Sequence, residues 1–193
     1  MTPRRPALRR LRALILPLVL SAAAAGAQNA QQALQDGARY DPDLFELVRG
    51  VFCEVPSTGS VPAPGTVAGK IELFDAVPDF QWLTSVVPAV PGISFGVQTL
   101  ARDGRIYDNV VMTLTHPAFR DSGASTQSYV TALGGSDTAI NAYTFDTPEE
   151  LATGTWTFTA TRDDELIYSA RFEVVPPAAA PEIASACGGL PMS

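Results

Sequence analysis

The chain is short of the residues that most enzyme chemistry needs. It has one histidine and two cysteines among 193 residues. A Ser-His-Asp triad requires a histidine base, so His116 alone could supply it. Zinc takes three or four nitrogen, sulfur or oxygen ligands, which this set does not provide. Gly92-Ile93-Ser94-Phe95-Gly96 has Gly-x-Ser-x-Gly spacing, but it lies within an alternating strand-like run rather than at a strand-to-helix elbow, and no phosphate-cradling glycine loop precedes a helix. Charge is also sparse: 17% of residues are charged and 46% are apolar, the reverse of a disordered chain. The 16 prolines exclude a coiled coil, and two cysteines are too few for a disulfide-dense scaffold. The length suits one domain with a sizeable core.

The N-terminus reads as a targeting segment. Arg4, Arg5, Arg9, Arg10 and Arg12 precede an apolar stretch, Ala13 to Leu20, and Ala25-Gly26-Ala27 fits a small-x-small cleavage pattern. We read residues 1–27 as a secretory signal peptide cut before Gln28. The apolar run is too short to span about 30 Å of hydrocarbon as an anchor. The five arginines leave with it, and eight basic side chains then face 20 acidic ones, a net of −12. Such a surface repels nucleic acid and anionic lipid. The expected destination is the periplasm or the medium, with no nucleic-acid partner and no stable membrane insertion.

An exported chain meets an oxidising compartment. Its two cysteines, Cys53 and Cys187, are expected to pair with each other and to tether a C-terminal tail, residues 178–193. Pro176, Pro177 and Pro181 make the approach to that tail stiff and extended.

Residues 28–45 are polar and Gln-rich, and read as a flexible leader with a short helical stretch around 30–34. From 46 to 177 the pattern is strand, turn, strand. Trp156, Phe158 and Ala160 alternate with threonines, as in a half-buried strand. Leu166, Tyr168, Ala170, Phe172 and Val174 share the face of the next strand, which closes a hairpin over Asp163-Asp164. Ile93, Phe95 and Val97 alternate likewise, Asp103-Gly104 turns the chain, and Val110, Met112 and Leu114 line the return. Runs at 67–74, 126–133 and 138–145 are strand-like, with Gly134-Gly135 between the last two. Runs at 46–55 and 80–87 are further candidates. Thr147-Pro148-Glu149-Glu150 has capping-box spacing with proline at the first helical position, which predicts one helical turn. The expected fold is all-β: an antiparallel immunoglobulin-like sandwich of seven to nine strands, with a closed β-barrel as the alternative. Its stacked layers are expected to leave no pocket rich in reactive groups.

Pro62-Ala63-Pro64-Gly65-Thr66, Gly92-Ile93-Ser94-Phe95-Gly96-Val97, His116-Pro117, Gly154-Thr155-Trp156-Thr157-Phe158 and Phe172-Glu173-Val174-Val175 occur together. In this the chain resembles an uncharacterised family of small exported bacterial domains, a domain of unknown function, over about residues 50–177. The resemblance implies export and a β fold. It carries no catalytic residues.

The remaining candidates are few. His116 shares the parity of Met112 and Leu114, so its ring starts toward the core. It reads as a semi-buried histidine bonded to loop carbonyls rather than as a general base or pH switch. Asp103 and Asp108 flank one hairpin and Asp163, Asp164 and Glu165 cluster in another. Neither set matches a calcium loop, and aspartates suit turns. Glu149 and Glu150 are explained by capping. Trp82 reads as core, with exposure as the alternative. Trp82 and His116 are therefore the two candidate contacts for a partner or ligand. The sequence points to a noncatalytic binding or structural module with no cofactor, whose partner is an envelope or extracellular protein. A small-ligand carrier with an apolar cavity and a small hydrolase using His116 are the competing readings.

Overall fold

A computed structural model describes residues 37–187. The expected signal peptide, its expected cleavage site and the expected helical stretch at 30–34 lie outside the described residues. The first strands are β1 (Ala38–Tyr40), β2 (Phe45–Cys53), β3 (Gly59–Pro62), β4 (Lys70–Leu73) and β5 (Val86–Pro88). They are followed by β6 (Ile93–Ala101), β7 (Ile106–Thr115), β8 (Thr126–Gly134), β9 (Ala139–Thr144), β10 (Gly154–Arg162) and β11 (Glu165–Val175). A 3-10 turn, Pro148–Glu150, separates β9 from β10. A second, Pro177–Ala179, leads into the short helix α1 (Pro181–Cys187).

The strands form two facing sheets and an arm. The larger sheet runs β1-β11-β10-β7-β8, with β5 added in parallel to β11 beyond β1. The smaller sheet runs β2-β6-β9. β3 and β4 pair only with each other and form the arm. This is an open immunoglobulin-like sandwich, mostly antiparallel, and not a closed barrel. The seven longer strands carry it, and the other four are of three or four residues.

Alternation decides which side chains meet between the layers. Trp156, Phe158 and Ala160 of β10, Tyr168, Ala170, Phe172 and Val174 of β11, and Val110, Met112 and Leu114 of β7 are buried against Val51 of β2 and Ile93, Phe95 and Val97 of β6. Phe95 is the hub. Its ring lies 5.2–5.8 Å from those of Phe145, Trp156, Phe158 and Phe172, within the range of favourable aromatic contact.

Ser94 and Gly96 point to the other face of β6 yet are also buried, because residues 78–82 cross that face. Gln98 donates to the Pro78 carbonyl at 2.7 Å, and Val51 and Trp82 exchange backbone hydrogen bonds of 2.9 and 3.1 Å. Phe80 occupies the space that a side chain on Gly50 would need: a Cβ there would stand 2.3 Å from Phe80 Cγ. The strand expected at 80–87 is therefore a cover, with one bridge at Trp82 and the short β5. Residues 78–82 close the outside of the small sheet, while Val86 and Val87 join the edge of the large one.

Four more expectations are corrected. The run at 67–74 yields strand only at Lys70–Leu73, because Thr66 to Gly69 turns, with Gly69 at φ +68°. The expected leader contributes Ala38–Tyr40, which pairs with Ala170, Ser169 and Tyr168 of β11. The stiff tail instead folds into the second 3-10 turn and α1, which buries Ile183. Leu166 is 40% exposed: the register shifts between Ala160 and Thr161, and this bulge takes Leu166 out of the buried row. Asp163 and Asp164, with φ of 51° and 64°, make the tight turn.

Cys53 at the end of β2 is joined to Cys187 of α1 by a disulfide, with Cα atoms 5.1 Å apart and a sequence separation of 134. Chain entropy gives such a loop about 5 kcal/mol at most. Peptide mapping of the nonreduced protein is expected to recover the Cys53–Cys187 link, and reduction to lower the denaturation midpoint. Gly50→Ala is expected to displace Phe80 and cost about 1–3 kcal/mol, measured by urea unfolding with the disulfide intact.

Candidate functional site

The sandwich is open along β8 and β9, and here the inward positions turn polar. β8 offers Gln127 and Tyr129, and β9 offers Asn141 and Tyr143. The Tyr129 hydroxyl donates to Asn141 Oδ1 at 2.9 Å, a bond from one sheet to the other. Burial drives the Tyr129 and Tyr143 hydroxyls well above the ordinary phenol range, so both remain donors at neutral pH.

The arm folds over this opening. Ser128 N–H donates to the Gly65 carbonyl at 2.8 Å, and Val67 N–H donates to Gln127 Oε1 at 2.8 Å. Gly65 permits the approach, since a Cβ on it would stand 2.3 Å from the Ser128 carbonyl oxygen. Beneath the arm is a cavity of about 480 Å³. Leu114 and Phe158 reach it from the core, and Val61, Ile71, Leu73 and Phe74 line it from the arm side. Gln127, Tyr129, Asn141, Tyr143, Asp146 and Glu150 supply its polar groups. The expectation of no pocket rich in reactive groups is corrected here, because this cavity lies beside the stacked layers.

His116 stands behind this wall. It is 7% exposed and stacked between Phe119 and Trp156, with ring centroids 4.1 and 4.5 Å away. Its Nδ1 meets the Pro117 carbonyl at 2.9 Å and its Nε2 meets Gln127 Nε2 at 3.2 Å. The Val67 bond uses the Gln127 oxygen, so its amide nitrogen donates to His116. His116 Nε2 is then the acceptor and Nδ1–H the donor, which is the neutral imidazole. Burial holds His116 below its usual value of 6.5, opposed by the Pro117 carbonyl.

The acidic groups have structural partners. Glu150 is buried, and its Oε2 accepts backbone N–H from Asp146 at 2.6 Å and Thr147 at 3.1 Å. Glu149 accepts from Ser122 N–H at 3.3 Å. Burial raises the Asp146 carboxyl, with Glu72 adding to the shift and Lys70 opposing it. Lys70 and Glu72 form an ion pair on the arm. Asp103 is occupied by Arg105 N–H and the Tyr107 hydroxyl. Among the described residues no three His, Cys, Asp or Glu side chains group as a metal site.

Trp82 is half-buried, packs against the core and bridges to Val51 of β2. Its neighbour Leu83 is 76% exposed and borders a second groove with Tyr40, Leu47, Val48 and Arg49. That groove is more open and less apolar than the cavity under the arm. Sequence reasoning placed His116 but missed Gln127, Tyr129, Asn141 and Tyr143. Their signal was a polar residue at an inward position, since Gln127 and Tyr129 share parity with buried Leu133, and Asn141 and Tyr143 with buried Phe145.

The topology defines an immunoglobulin-like sandwich carrying an arm. The family model described as a domain of unknown function, DUF3859, matches residues 46–174, and the chain belongs to that family. The curated proteins give no match. Among solved structures, an immunoglobulin-like protein from Pseudomonas aeruginosa is similar, at 20% identity and a TM-score of 0.48, over 72% of this chain and 96% of the other.

Because the folded His116 binds its proton less readily than the unfolded one, its share of stability is complete above about pH 6.5 and falls as the pH drops through the window below. Urea unfolding from pH 7.5 to 4.5 is expected to show this loss. The His116→Phe variant, which keeps a ring between Phe119 and Trp156, is expected to show a flatter acid limb.

Proposed function

We propose that this chain is an exported, noncatalytic binding module that holds a small amphipathic ligand beneath the arm. The cavity carries the reading: about 480 Å³, an apolar floor, and hydrogen-bonding groups converging from two strands. These are the usual attributes of a small-ligand site. The polar lining suits a ligand with an apolar body and one hydrogen-bonding end. This moves the weight from a partner protein, which the sequence favoured, to a small molecule.

The noncatalytic reading rests on how the chemical groups are spent. Both His116 nitrogens serve the fold, both cysteines are joined, and Glu150 caps a turn. None is poised against a second group as nucleophile and base. A small hydrolase built on His116 is correspondingly disfavoured. The disulfide supports an oxidising compartment, periplasmic or extracellular. An envelope protein is the second reading, favoured by exposed Leu83 and Val48 beside the other groove.

Nile red is expected to bind with a fluorescence rise. Ile71→Asp in the arm should weaken it by about tenfold or more, while Leu83→Asp leaves it unchanged. Equal binding by Ile71→Asp and the parent would overturn the assignment of this cavity. Native mass analysis of protein purified from its own host is expected to show a retained small ligand.

A further inference from the structure

We propose that His116 and Gln127 form a proton-operated clasp for the arm, in which a proton on the imidazole and the hydrogen bond from Val67 exclude each other. The inference rests on the cavity being the binding site, and it concerns how access to that site is governed.

The argument is one of donors and acceptors. The arm pairs with neither sheet. Two hydrogen bonds from its turn hold it to β8, the Ser128–Gly65 backbone bond and Val67 N–H to Gln127 Oε1. Gln127 is 4% exposed, so its amide must find partners within the protein. An amide has one acceptor end and one donor end. With its oxygen on Val67, its nitrogen faces His116 Nε2 at 3.2 Å, so that His116 Nε2 must present a lone pair; the Tyr143 hydroxyl meets the same Gln127 side chain.

Adding a proton to Nε2 sets two donors against each other. The conflict is relieved if the amide turns over and gives its oxygen to the imidazolium. Its nitrogen then faces Val67 N–H, again donor against donor, and the arm loses its side-chain hold. A buried donor left without an acceptor is destabilising, so neither arrangement satisfies both His116 and Val67. Linkage makes the effect reciprocal: whatever frees the arm makes the imidazole easier to protonate, and whatever seats the arm makes it harder.

The ionisable groups on the elements around His116 are Tyr143 of β9, Glu149 and Glu150 of the 3-10 turn, and Arg120 and Asp121 in the loop after Pro117. None of them contributes to the His116 shift, which comes from burial and the Pro117 carbonyl alone. Asp146, Lys70 and Glu72 interact with one another at the arm. The coupling between His116 and the arm therefore runs through the Gln127 amide.

Amide hydrogen exchange of Val67, read by NMR on the intact oxidised protein and corrected for the intrinsic pH dependence, tests the clasp. Protection at Val67 is expected to fall at least several-fold as the His116 ring signals titrate, while amides of β10 and β11 keep theirs. In His116→Phe it should not change with pH. Gln127→Glu should reverse the sign, because a carboxylate accepts from both Val67 N–H and the imidazolium. Unchanged Val67 protection across the His116 titration would overturn the clasp. So would a His116 that stays neutral down to the acid unfolding transition, or a Gln127→Glu variant that loses protection on acidification as the parent does. Nile red affinity measured over the same pH range separates the two claims. Exchange that follows His116 while Nile red binding does not would keep the clasp and reject the cavity as the site.

Discussion

The structure depends on one ring, that of Phe95. It stands at the centre of β6 and touches aromatic rings from β10, β11 and the end of β9. Each such pair contributes about 0.5–1.5 kcal/mol beyond simple burial. The contacts exist only while three strands keep their alternation in phase, and a slip of one residue in any of them would turn its rings to solvent. The neighbouring Gly96 shows how tight the arrangement is, because a Cβ there would stand 2.2 Å from the Asn141 carbonyl oxygen. β9, and with it the wall of the cavity, is held where a side chain would push it away.

The same cluster leads outward to the site. Trp156 touches Phe95 on one side and stacks on His116 on the other. His116 orients Gln127, and Gln127 receives the arm. The polar seam is thus tied to the aromatic cluster of the core. Its polarity follows from its position: along β8 and β9 the inward positions have no opposing apolar layer, so Tyr129 and Asn141 satisfy each other across the gap.

Strands with contrasting faces could be read directly. In β10 the threonines and the Trp156-Phe158-Ala160 row leave one solution, and the Cys53–Cys187 pairing followed from a count of two. Strands of three or four residues, such as β1 and β5, carry too little period to be seen. The burial of Ser94 and Gly96 was also invisible, because the segment that covers them is recruited from residues 78–82 and no local pattern announces it. For the site, parity placed His116 behind the wall but said nothing of Gln127. Its role comes from a turn sixty residues earlier in the chain, where Gly65 lets the arm approach β8.

The covalent link between β2 and α1 has a mechanical consequence. Tension applied at the two ends of the chain reaches Cys53 and Cys187 and passes directly between them. The covalent path bypasses the span they enclose, with Phe95, the cavity and the arm. Only β1 and β2 stand in line with the force, so stretching would peel two strands and leave the rest of the sandwich slack inside its own loop.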